Sequence, residues 1–154
     1  MIIKYTPADG EPQTFDAGRL RASEIQIVER TADRRWAELK DAMGEGDVNA
    51  MRVAAWVVMK RTQPSLRFAE FDPWEDEIRA LLDERETSAF AEKLYAKYGS
   101  DPAELAEAFD ELRDAAADRE ACEQAIADVT APKDPAPAEP EQQSETTTAS
   151  LTES

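Results

Sequence analysis

Three groups of residues in this 154-residue chain have the types and spacing for chemistry or recognition. The first is acidic: Glu75, Asp76 and Glu77, followed by Asp83, Glu84 and Glu86. Carboxylates gathered this way can hold a divalent cation or share acid–base work on a glycosidic bond. They equally suit the solvated first turn of a helix, where negative charge complements the dipole, and we read them so. The second is Cys122, the only cysteine, which can form no disulfide within the chain and reads as a small apolar filler. The third is a run of aromatics and cations, Trp56, Lys60, Arg61, Arg67 and Phe68, with Trp36 upstream. Cations closing a helix suit its C-terminal dipole, and beside aromatics they also make a surface for a partner. These six residues are the candidate partner-binding set.

Several chemistries are missing their reagents. There is no histidine, which removes imidazole acid–base work, Ser-His-Asp and Cys-His arrangements and the commonest zinc ligand. The five glycines form no phosphate-cradling loop. We expect no enzyme, no cofactor and no metal.

The third group belongs to the element around which the chain is organised. From Ala50 to Met59 only Arg52 is polar. Ten residues fall short of the roughly 20 needed to cross a bilayer, so other elements must cover this helix. Asp47 can cap it, Gly44 and Gly46 break the chain before it, and Pro64 stops it. A helix apolar nearly all round is either core or shared between a core and an oligomer interface.

Before it, Ile2–Thr6 and Gln13–Asp16 read as two short strands joined at Asp9-Gly10, a hairpin turn signal. Ser23 with Gln26 fits a capping box, predicting a helix over 24–30, and a second runs from Thr31 or Asp33 to Met43. After it, Leu66, Phe68, Phe71 and Trp74 are expected to fold back over the core. Asp72-Pro73 reads as a cap followed by proline at the first helical position, predicting a helix with Trp74, Ile78, Leu81 and Leu82 on one side. It continues through Phe90 and Leu94 to Gly99, with a break at Thr87-Ser88. Asp101-Pro102 repeats the device and opens a helix to about Val129. From Ala131 onward four prolines and many Thr, Ser and Glu leave only Leu151 large and apolar, which predicts disorder.

The expected fold is therefore mainly α with a small N-terminal β-hairpin, an α+β class. It has three parts: a hairpin and helical core over 1–72, an acidic helical region over 73–130 and a disordered tail over 131–154. Charge follows this division. Residues 1–70 hold 11 Lys/Arg against 11 Asp/Glu; residues 71–154 hold 7 against 23, which carries the whole formal net charge of −16. Such a balance disfavours nucleic acid and anionic membrane and favours basic partners. MIIKYTPADG has no apolar signal-peptide core, so the cytoplasm is the default compartment.

The opening IIKYTPADGEPQTF, the helix beginning at Ser23, the block AAWVVMKRTQPSLRF, the acidic helical half and the polar tail resemble the tail assembly chaperones of long-tailed phages of actinobacteria. The likeness covers roughly residues 1–72 in pattern and is most specific from Trp56 to Phe68. It implies a non-enzymatic protein that coats the tape measure protein in the host cytoplasm while the tail tube polymerises, and that is absent from the mature virion. It implies the tape measure protein as partner, with the tail tube protein, a longer frameshifted form of the same chain and a second copy as further partners. In that family a −1 slip near the end of the gene makes the longer form. Ala131-Pro132-Lys133 can be encoded GCC CCA AAG, which contains the slippery form C CCA AAG. The neutral front is expected to contact the client and the acidic back to keep it in solution. Two other classes fit the composition: an acidic mimic of DNA that occupies a host nucleic-acid-binding protein, and a small structural tail or connector protein.

Overall fold

The computed structural model describes residues 1–131, which form six α-helices and a three-stranded antiparallel sheet. Strands β1 (Ile2–Tyr5) and β2 (Gln13–Asp16) make the hairpin. Helices α1 (Ala22–Ala32), α2 (Trp36–Gly44) and α3 (Val48–Met59) follow. Strand β3 (Ile78–Leu81) returns to the sheet, and α4 (Glu84–Tyr98), α5 (Pro102–Ala115) and α6 (Arg119–Thr130) complete the described chain. The segment predicted to be disordered lies, but for Ala131, outside the described residues.

Helix α3 is the centre of the first core. Asp47 caps it by accepting the Ala50 N–H at 3.0 Å, and Gly46, at φ +91°, makes the reversal that feeds it. Gly44 belongs to the last turn of α2 and is not a breaker. Eight of the twelve α3 residues are buried, against α1, α2 and the sheet. Arg52, its one charged residue, holds the following segment in place: Nε donates to the Phe71 carbonyl at 2.6 Å and Nη2 to the Phe68 carbonyl at 3.0 Å. Trp56 Nε1 donates to the Leu66 carbonyl at 3.0 Å. Phe71 is thereby buried and Leu66 and Phe68 half-buried, while Trp74, expected over the core, is 75% exposed.

The stretch after Pro73 corrects the sequence reading most. Instead of a helix, Glu75–Glu77 make one 3-10 turn and Ile78–Leu81 form β3. Trp74, Ile78 and Leu81 have helical spacing, but β1 offers an open edge and takes this segment antiparallel, pairing Tyr5 with Ile78 and Ile2 with Leu81. The first core accordingly extends to Ile78.

Three boundaries also move. Helix α1 begins at Ala22, one residue before Ser23, with Arg21 as its cap, because the Glu24 carboxylate reaches back to the Arg21 N–H at 2.6 Å. It runs on to Ala32, and Asp33 ends it at φ 51°, a left-handed geometry that Asp tolerates. Thr87 does not break α4; its hydroxyl donates to the Asp83 carbonyl at 2.7 Å inside the helix. The helix expected over 101–129 divides at Ala116–Asp118. There Leu82 makes a short parallel bridge, its N–H to the Ala115 carbonyl at 2.8 Å and its carbonyl to the Ala117 N–H at 2.9 Å, and Asp118 caps α6.

Helices α4, α5 and α6 pack on one another around a second, smaller core of Ala91, Phe109, Leu112, Cys122, Ala125 and Ile126. The stop after α4 needs glycine: a Cβ on Gly99 would lie 2.5 Å from the Tyr95 carbonyl oxygen.

Candidate functional site

The six predicted contact residues do not form one surface. Trp56 is only 7% exposed, and Phe68 packs edge-on against it with centroids 5.3 Å apart. Lys60 Nζ lies 5.0 Å from the Trp56 ring centroid, and Arg52 stacks over Phe68 at 4.1 Å. These side chains hold the 63–71 segment on α3 and present little to a partner. Arg61 points away to α1, where Nε and Nη2 each meet the Glu24 carboxylate at 2.7 Å and Nη2 also donates to the Arg19 carbonyl at 3.0 Å. The Arg61 hydrogen bonds hold the Glu24 carboxyl down at about 2, against the opposing effect of its burial. Trp36 is half-buried against the first core, its backbone N–H donating to Glu29 Oε1 at 2.8 Å. Arg67 alone of the set has an exposed residue position outside these contacts.

The acidic group resolves into helix starts. Asp83 caps α4 by accepting the Glu86 N–H at 2.9 Å, and Glu77 Oε2 accepts the Trp74 N–H at 2.9 Å. Asp83 and Glu86 also receive the Met1 amine. Among the described residues no group of three or more acids or cysteines is placed to hold a metal ion. Cys122 is fully buried, and burial pushes its thiol above the ordinary range. No helix among the described residues is long and apolar enough to cross a membrane.

What the structure assembles instead is an apolar groove of about 330 Å³ along the seam between the two cores. Strand β3 and its continuation supply Ala80, Leu81 and Leu82; α4 supplies Phe90 and Leu94; α5 supplies Ala108, Leu112 and Ala115. Glu111 is the only charged side chain in the lining. Phe90 is 44% exposed at the mouth. Small-molecule sites combine an apolar pocket with several convergent polar groups, which this lining lacks. A groove walled by two helices and floored by leucines suits the apolar side chains of another protein segment.

Sequence reasoning placed Phe90, Leu94 and Leu112 correctly on apolar helix stripes but gave no sign that they meet. The α5 stripe is broad enough to serve two surfaces, with Phe109 turned to the α4–α6 core and Ala108 and Ala115 to the groove. That width is the one local signal. Comparison of the chain with protein-family models, with curated proteins and with solved structures found no match.

Proposed function

We propose that the protein is a tail assembly chaperone of a long-tailed phage, which binds the tape measure protein and keeps it in solution in the host cytoplasm until the tail tube forms around it. The observation that carries the reading is the groove, a largely apolar concave surface on a molecule of formal net charge −16. A shield for a long, helical, aggregation-prone chain needs apolar area for contact and like charge for solubility. The resemblance of residues 1–72 supports the same role. The contact surface shifts, however, from the Trp56–Phe68 face to the seam, because Trp56, Arg61 and Phe68 are already engaged within the fold. The frameshift site proposed at Ala131-Pro132-Lys133 begins one residue after α6 ends, so a change of frame there leaves both cores unaltered.

The test is coexpression of the full chain with the tape measure protein. We expect the client to move into the soluble fraction and to co-purify. A chain ending at Thr130 should act alike. Client left insoluble with and without the protein sinks the reading.

A further inference from the structure

The groove has rims of opposite sign. Helices α4 and α5 are joined by the short turn at 99–101 and run antiparallel beside each other. On α5, residues 108, 112 and 115 face the groove; the next row outward on the helix surface holds Glu104 and Glu111, and beyond it Glu107 and Asp114. On α4, the row outward from Phe90 and Leu94 holds Lys93 and Lys97, the latter with Nζ 4.6 Å from the Tyr98 ring centroid, and its one acid, Glu86, is already paired with the Met1 amine. The other six charged residues are exposed, and none makes an ion pair among the described residues. Lys93 leans over Phe90, 5.4 Å from the ring centroid. By contrast Arg113, on the far side of α5, is already paired with Asp110 and Glu123.

We propose that the groove takes a single amphipathic helix, apolar along an i, i+3/i+4, i+7 stripe, with a basic flank against α5 and an acidic flank against α4. The cavity is small, with room for the few apolar side chains that about two turns of one such stripe present. Charge complementarity at the two rims selects the partner. It also fixes direction: turning a helix end for end in the groove exchanges its flanks, so a helix with one basic and one acidic side fits one way only. A second copy paired through this same surface would set one concave surface on another. The identification of that helix as a segment of the client rests on the chaperone reading; the chemistry of the groove does not.

The probe is a set of synthetic helical peptides sharing one leucine stripe, with flanks Lys/Glu, Lys/Lys or Glu/Glu. They are titrated into the full-length protein at low salt. We expect the Lys/Glu peptide to bind about ten-fold tighter than either uniform peptide, an advantage that salt erodes, and to shift the amide signals of Phe90, Leu94 and Leu112. Phe90→Asp, at a half-exposed position, should abolish binding and leave the circular dichroism spectrum unchanged. Glu104→Lys with Glu111→Lys should transfer the preference to the Glu/Glu peptide, a gain that a merely damaged fold cannot produce. The proposal is overturned if the three peptides bind equally or none binds. It is also overturned if Phe90→Asp instead dissociates a dimer, or if the Lys/Glu peptide binds only once residues 132–154 are removed, since the groove would then belong to a second copy or to the chain's own end. The chaperone reading fails separately, if the peptide binds but the tape measure protein stays insoluble.

Discussion

The two cores are built differently. Around α3, large side chains from seven segments are fully or nearly buried, among them Ile3, Val28, Leu39, Met43 and Val53. Buried or half-buried polar groups then fasten backbone to backbone: Arg52 and Trp56 hold the carbonyls of 66–71, and Glu24 ties the start of α1 to Arg61 just beyond α3. Around α4–α6, three of the six buried residues are Ala91, Cys122 and Ala125, and the ion pairs of Arg113 lie at the surface, where they contribute little. The first core buries eight of the twelve α3 residues. The second is shallow, and where it meets β3 it leaves apolar surface uncovered by any described residue. A binding surface forms where two cores are joined and neither is large enough to fill the join.

The contrast can be broken most forcefully at Trp56. Trp56→Asp places an unpaired charge in the first core and removes the bond to Leu66, costing on the order of 4 kcal/mol. We expect loss of the folded circular dichroism signal or aggregation; an unchanged melting curve would mean that α3 is not the centre of the fold. Phe109→Ala, in the second core, should cost about 3 kcal/mol. Trp36 and Trp56 pack in the first core and Trp74 is exposed, so the fluorescence change on unfolding reports on the first core. If the cores are separable, helical circular dichroism in this variant is lost at a lower temperature than the fluorescence transition. Coincident curves would make the molecule one cooperative unit.

Acid sharpens the comparison next. Glu24 titrates near 4.5 when unfolded and at about 2 when folded, so the unfolded chain takes up its proton first. The stabilisation is complete above pH 4.5 and is lost as pH falls toward 2, a contribution of about 3 kcal/mol at neutral pH. Glu24→Gln should be less stable than the parent at neutral pH, and the difference should close across that window; a constant difference would refute the assignment. Smallest is Trp74→Ser, at a residue 75% exposed, which should change stability by less than about 0.5 kcal/mol.

Much of the element layout of both cores was legible in the sequence, because its signals are local. Asp9-Gly10 marked the hairpin turn, Asp47 the start of α3, Asp101-Pro102 the start of α5 and Gly99 the end of α4. Strand β3 was not legible: its four residues carry no strand pattern strong enough to outweigh the helical spacing around them, and only the open edge of β1 decides. The break at Ala116–Asp118 depends likewise on Leu82, more than thirty residues upstream. The candidate contact residues were recognised by type, yet type does not say whether a tryptophan or arginine faces in or out. The groove was illegible because its walls come from separate elements, each of which reads alone as ordinary core.

The pairing of β1 with β3 has a consequence for how the protein is made. A ribosome delivers β1 some seventy residues before β3, so the nascent chain carries β1 with one edge open through the synthesis of α1, α2 and α3. Pairings this distant in sequence close slowly and leave strand edges exposed meanwhile. A product ending at residue 72 would keep that edge for good and should be prone to stick to its own kind. The acids from Glu75 to Glu86 emerge with the closing strand, so charge that opposes aggregation arrives together with the residues that seal the sheet.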